Sequence, residues 1–251
     1  MGCGPAQPEA PSADKNTLHI YGDYFNTETR ALLIICRMAN IQHQFHLVDT
    51  LEKQNESADY LQKNPNGSIP MLEKDGNLHI TSGKEVLEFV LRTNPEAIAQ
   101  AFEADQESNK WKAMRRYFFQ EFRIKSSKLI RRAANLKLNP ENSRTNPDDK
   151  GVTMAMTALE EHIYKELNRG ELSKSAFMTG PKMSVLDVLY FCEIYQITSH
   201  YDREIPKYHN KLADWFDEML KIDAIKDANV AFDAVVNDHS LKVNYNELTQ
   251  Q

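Results

Sequence analysis

Residues 64–82 read NPNGSIPMLEKDGNLHITS, and this stretch decides the fold. Asn64-Pro65-Asn66-Gly67 is a cluster of breakers that belongs in a loop. Ile69-Pro70-Met71-Leu72 then opens a short apolar strand, with the proline at its entrance, where a missing N–H is tolerated. Lys74-Asp75-Gly76-Asn77 carries the Asp-Gly signal of a two-residue hairpin turn, and Leu78-His79-Ile80 returns as the partner strand. Thr81 and Ser82 can cap a helix over 83–91. The residues allow two readings of Pro70. It is a trans proline opening an edge strand, or a cis Ile69-Pro70 bond that turns the N–H and C=O of Ile69 outward to pair with an extended peptide.

Working outward, residues 17–21 make a short strand with Leu18 and Ile20 on one face. A loop over 22–29 leads into a helix at 28–39 with an apolar centre, and Asn26, Thr27 and Thr29 are candidate N-caps. Asn40 suits the position just past its end. Residues 44–49 alternate as a second strand, and 57–62 form a polar helix. The order over 17–92 is therefore βαβαββα, a parallel pair with an antiparallel hairpin at its edge, which is the thioredoxin-like arrangement. In that arrangement the loop before the first helix is the reactive position, because the helix N-terminus favours a thiolate.

Residues 93–107 read as a linker, with Asn94-Pro95 stopping the helix before it. Strand signals then vanish. Helices are expected at 108–138, 151–168, 184–198, 207–219 and 223–236, with a polar loop at 139–150 and a polar tail at 241–251. The 184–198 helix is apolar nearly all round and should be the core of this half. Its polar neighbours aside, the basic residues of 108–138 read as a solvated helix face. The chain is thus α/β plus all-α: a thioredoxin-like domain at 17–92 and an all-helical domain at 108–240.

Bulk composition narrows the function classes. The chain has 251 residues, 41% of them hydrophobic and 26% charged, and a net charge of −6, which excludes an overall electrostatic footprint for nucleic acid. No apolar run is long enough to span a bilayer. Cys3, Cys36 and Cys192 are odd in number and widely spaced, as in a reducing compartment, and point to a cytoplasmic protein. None of the eight histidines has metal-ligand spacing, so no metal is expected. Residues 1–16 read as a disordered tail. Within it, Gly2 could accept myristate and Cys3 palmitate, and membrane association would follow only from that acylation; Ala6 departs from the Ser or Thr of the usual motif.

Three separated motifs carry a family resemblance. NPNGSIPML at 64–72 resembles the segment with the cis proline in cytosolic glutathione transferases, and ITSGKEVLEFV at 80–90 resembles that family's next helix start. FMTGPKMSVLDVLYF at 177–191 is similar to its helical-domain signature, in which Ser184 and Asp187 form a capping box. IYGDYFNTETRALLII at 20–35 looks most like the theta class and other serine-type members. The resemblance covers about residues 17–240.

The resemblance implies a cis Ile69-Pro70 bond and a glutathione thiol activated for attack on a hydrophobic electrophile, in a homodimer, with glutathione as co-substrate and no other cofactor. Its activating serine is replaced by Asn26, whose amide can also donate to sulfur; Tyr24 and Thr27 are the neighbouring candidates, and a plain helix cap is the alternative role of Asn26. Ile69 and Pro70 would meet the cysteinyl unit, and Ser82 the γ-glutamyl carboxylate. Thr81 stands where an acid would pair the γ-glutamyl amine, a loss of about 1.5–3 kcal/mol. Asn55, with Lys53 beside it, stands where a histidine would reach the glycyl carboxylate, and Ser68 where a lysine is sometimes found. The rival reading is a non-catalytic binding or scaffolding protein on the same fold.

Overall fold

The computed structural model describes residues 17–50, 52–76, 78–103, 108–138, 176–201 and 210–237, with the single positions 154, 157, 158 and 161. The tail at 1–16 with Gly2 and Cys3, the loop at 139–150, most of the helix expected at 151–168 and the C-terminal tail lie outside the described residues.

Strand β1 (Leu18–Gly22) alternates buried and half-buried residues and sits second in a four-stranded sheet of order β2-β1-β3-β4. It pairs in parallel with β2 (His43–Leu47), joined by helix α1 (Thr27–Met38), and antiparallel with β3 (Met71–Lys74), which pairs antiparallel with β4 (Leu78–Ile80). Asn40 adopts φ 51° just past α1, as an Asn at that position can. The Ile69-Pro70 bond is cis. One detail differs from the sequence expectation. The register pairs Lys74 with Leu78, so three residues, not two, close the hairpin, and Asp75 and Gly76 both take positive φ (56° and 71°). At Gly76 the backbone conformation, not space, demands glycine, since a Cβ there would touch nothing within 4 Å.

Helix α2 (Ala58–Lys63) follows a 3-10 turn at Gln54–Glu56 and packs Tyr60 with Val48 and Met71 on one face of the sheet. Helices α1 and α3 (Gly83–Thr93) cover the other face, where Leu18, Ile20 and Leu72 meet Ile34, Ile35, Val86 and Val90 in the main core. Each such side chain contributes about 1.5–3 kcal/mol by leaving water. The stretch expected as a linker carries a two-turn helix, α4 (Pro95–Ala101), because Pro95 at the first helical position starts a helix as readily as it stops one.

The 108–138 helix is not continuous. It runs as α5 (Asn109–Tyr117), a π-helical turn at Phe118–Phe122, and α6 (Arg123–Leu138). The Tyr190 hydroxyl donates to the Met114 carbonyl at 3.0 Å, and its ring lies 4.9 and 5.2 Å from those of Phe118 and Phe122. A side chain bonding into the helical ladder is a physical cause for such a widened turn. Helix α7 (Val185–Tyr201) is the expected core helix, buried from Val185 to Ile194, and α8 (Asn210–Leu220) and α9 (Asp223–Asn237) complete the described helices.

On the α2 face of the sheet, His19 Nδ1 and His46 Nε2 lie 2.9 Å apart, and the His46 ring stacks on Tyr21. Burial, then the nearby His19 and Lys63, hold His46 below the usual imidazole range. A depressed histidine stabilises the fold above its unfolded pKa, near 6.5, and that contribution is lost as pH falls. In an NMR titration the His46 midpoint is expected below that of a free imidazole and should rise in His19→Gln; a midpoint unmoved by that change would reject the coupling.

Candidate functional site

Asn26 is the residue from which the site is built. It caps α1 with φ −84° and ψ 120°, its Oδ1 accepting the Thr29 N–H at 2.8 Å. That bond settles which end of the amide is oxygen, so Nδ2 points away from the helix and reaches the Ile69 carbonyl at 3.4 Å. An amide nitrogen carries two hydrogens, and this long contact uses one. Asn26 is thus both the cap and the link between α1 and the Ile69-Pro70 turn.

The loop before it is fixed by residues that sequence reasoning passed over. The buried Asp23 carboxylate accepts the Phe25 N–H at 3.0 Å and the Thr50 N–H at 2.8 Å, with the Thr50 hydroxyl as a third donor. Arg30, fully buried, donates to the carbonyls of Tyr24 and Cys192 and to Gln196 Oε1, and lies 4.1 Å from the Phe232 ring centroid. Gln196 Nε2 returns a bond to the Phe25 carbonyl at 3.0 Å. The core helix α7 therefore grips the loop before α1 through polar residues. The sequence signal was available: Glu193 and Gln196 are polar positions in an otherwise apolar helix, and buried polar groups demand partners.

The structure brings together some candidates and engages others elsewhere. Thr27 donates its hydroxyl to Glu193 Oε1 at 2.6 Å, a bond between the two halves of the molecule. Tyr24 packs on Phe45 with ring centroids 5.1 Å apart, and burial pushes its phenol above the usual range. Asn55 is 2% exposed and donates to the Gly67 carbonyl at 3.1 Å, so its amide shapes the loop that presents Ile69; its Oδ1 has no partner among the described residues. Lys53 is exposed in a left-handed turn just before it. Ser68 donates to the Thr81 carbonyl at 2.6 Å and receives Asn64 and Tyr60 on its own carbonyl, each at 2.7 Å. Ser68 thereby ties the turn before Ile69 to the head of α3. Ser82 caps α3 by backbone position alone; its side chain makes no capping bond and is exposed.

At the head of α3 lies a residue not singled out from sequence. The Glu28 carboxylate sits against Gly83: a Cβ there would lie 2.3 Å from Glu28 Oε2. Any side chain at position 83 would make that carboxylate shift. Arg123 forms an ion pair with Glu28 and lies 3.6 Å from Glu193 Oε1, while Ser126 donates to Glu193 Oε2 at 2.6 Å. Burial pushes the Glu28 carboxyl up, Arg123 pulls it back, and Glu193 adds to the rise. Burial alone would lower Arg123, but its two carboxylates hold it above its usual range. Cys36 and Cys192 are buried thiols pushed up to about 12, inert at neutral pH. Among the described residues no three His, Cys, Asp or Glu side chains group as metal ligands.

Residues 16–88 match the glutathione S-transferase N-terminal domain family. That match covers the thioredoxin-like domain and stops short of the helical half. The fold itself is shared with solved glutathione transferases. It is similar to apo human glutathione-S-transferase T1-1, with 19% identity over 93% of this chain and 95% of that one, and a TM-score of 0.66. Human glutathione transferase theta-2, solved with glutathione and an unknown ligand, gives 18% identity over 92% and 96%, and a TM-score of 0.66. An epsilon-class glutathione S-transferase of housefly, Musca domestica, gives 16% over 90% and 100%, and a TM-score of 0.65. No curated protein matches. The thioredoxin-like transferase domain and the mostly helical second half thus stand as read from the sequence.

Proposed function

We propose that the chain binds glutathione at the corner between Asn26, Ile69 and Ser82, and holds its sulfur as a thiolate that attacks a hydrophobic electrophile. The observation that carries this reading is the Asn26 amide, fixed by its capping bond and aimed at the Ile69 carbonyl with one N–H to spare. The thiol proton leaves to solvent, the sulfur lone pair forms a C–S bond, and the leaving group departs with its electron pair. The positive end of α1 and the spare Asn26 N–H both favour the thiolate. The Ile69 backbone would pair the cysteinyl unit. Ser82 and the first N–H groups of α3 would take the γ-glutamyl carboxylate. With Asn55 engaged on Gly67, the glycyl carboxylate would meet Lys53 in the exposed turn beside it. The second substrate would be apolar and the assembly a homodimer, in keeping with the family.

Glu28 completes this site. Thr81 lacks the charge that would pair the γ-glutamyl amine, and Glu28, held by Arg123 against Gly83, restores a carboxylate at that helix start. Glu28→Gln is expected to weaken glutathione binding about tenfold, the scale of one charge-assisted bond. It should leave unchanged the affinity for an analogue lacking the γ-glutamyl amine. Equal weakening of both ligands would reject the role of Glu28, and a native chain that passes unretained through immobilised glutathione would reject the reading as a whole.

One observation favours a non-catalytic binding protein as the second reading: the Thr27 hydroxyl is committed to Glu193, away from the Asn26–Ile69 corner. Retention on glutathione with no turnover of a chloronitrobenzene substrate would decide for it.

A further inference from the structure

Three charged side chains meet between the two halves of the molecule, and their signs do not cancel. Glu28, in the first turn of α1, pairs with Arg123 at the start of α6, and Arg123 Nε lies 3.6 Å from Glu193 Oε1 on α7. Two carboxylates thus share one guanidinium, with the Glu193 side chain 2% exposed and that of Glu28 14%. Their other neighbours add hydroxyls, not charge: Thr27 and Ser126 each donate to Glu193 at 2.6 Å. Helix α3 contributes Gly83, which has no side chain. The positive end of α1 offsets part of the imbalance, as it does for any acid in a first turn. With both acids ionised the cluster still carries one negative charge in excess, and an uncompensated buried charge is costly.

Two things relieve such an excess: a proton on one carboxylate, or a cation brought from outside. Glu28 is the acid placed for either. It is the more exposed of the two and lies against the head of α3. Its carboxyl is pushed up by burial and by Glu193, against the pull of Arg123. Glu193 instead has both oxygens occupied as acceptors, one by the Thr27 hydroxyl and the other by that of Ser126.

We propose that Glu193 is a positioning residue that couples glutathione binding to release of a proton: Glu28 holds that proton in the empty site and yields it when the ligand's γ-glutamyl ammonium arrives. The inference rests on the glutathione reading above and deepens it. The Glu28 O–H bond breaks, the proton passes to solvent, and the carboxylate pairs with the ammonium. The cluster is then neutral both before binding, with Glu28 protonated, and after it, with the ammonium as fourth member. Glu193 does this without touching the ligand, because its charge draws on the same guanidinium that would otherwise serve Glu28 alone. The sign follows: as pH falls, the ammonium must displace a proton more often, so a ligand with the amine binds more weakly. An analogue without the amine shows no such loss.

The test is calorimetric titration of the full chain with S-methylglutathione, whose blocked sulfur carries no proton, in pairs of buffers that differ in ionisation enthalpy. Between about pH 5 and about pH 6.5 the ligand's own ammonium and carboxylates keep their charge. Release of up to about one proton per bound ligand is expected in that window. In Glu193→Gln the side chain keeps its shape and one acceptor oxygen, and Arg123 serves Glu28 alone. Release should then disappear, and the weakening of binding in acid should move to lower pH. Glu28→Gln leaves the Thr27 and Ser126 bonds to Glu193 in place and should abolish release as well, which separates proton coupling from damage to those bonds. The analogue lacking the amine should bind the native chain without release. Binding of S-methylglutathione with no proton released, or release unchanged in Glu193→Gln, would overturn the proposal and leave the glutathione reading standing. No binding of S-methylglutathione at all would overturn both.

Discussion

Asp187→Ala is expected to lower the unfolding free energy by about 3–5 kcal/mol, the scale seen when one partner of a buried polar cluster is removed. Asp187 is fully buried near the start of α7 and accepts four bonds: from the Met178 N–H at 2.7 Å, the Ser184 N–H at 2.8 Å, the Ser184 hydroxyl at 2.6 Å and the Trp215 indole at 2.9 Å. Ser184 Oγ in turn accepts the Asp187 N–H at 3.4 Å, closing the box expected from the motif. Alanine leaves those donors without an acceptor where water does not reach, at about 1–3 kcal/mol for each that cannot repair its bond. The measurement is a urea midpoint, with the slope checked for constancy. A shift worth less than about 1 kcal/mol would show that the cluster is not what holds α7. Activity should fall with stability in this variant, because α7 carries the Glu193 and Gln196 that fix Thr27 and Phe25.

The fold was legible in the sequence to the extent that it depends on local signals. The breakers at 64–67, the proline at 70 and the Ser184–Asp187 pair each announce a backbone event within a few residues, and all three appear where expected. What the sequence concealed depends on contacts across it. Glu28 and Gly83 are 55 positions apart, yet the absence of one side chain makes room for the other. Thr27 reads as a free hydroxyl until Glu193, 166 residues on, is placed beside it. The π-helical turn has the same origin, in a tyrosine from α7 that no pattern within 108–138 reveals. Buried polar residues in α7 were the one overlooked hint, since a hydrophobic stripe says nothing about which polar neighbours go inside with it.

Whether the Asn26 amide acts on the sulfur can be separated from its capping role, because the two roles use opposite ends of one side chain. Asn26→Asp keeps an oxygen for the Thr29 N–H, and Asp and Asn cap about equally well, so stability should change by less than about 1 kcal/mol. The same change removes the N–H aimed at the Ile69 carbonyl and sets a negative charge beside the expected thiolate. Like charges at that distance disfavour ionisation, and loss of one preorganised donor costs about 100–1,000-fold in rate where charge develops. A fall in kcat of at least about 100-fold is therefore expected, with the bound thiol titrating at higher pH by its ultraviolet thiolate absorbance. Asn26→Ser caps α1 equally and supplies a hydroxyl donor, and it should retain or raise the rate. If Asp and Ser variants turn over alike, the amide is only a helix cap, and the helix terminus alone holds the thiolate. If the native chain binds glutathione but none of the three shows turnover, the fold serves binding without chemistry.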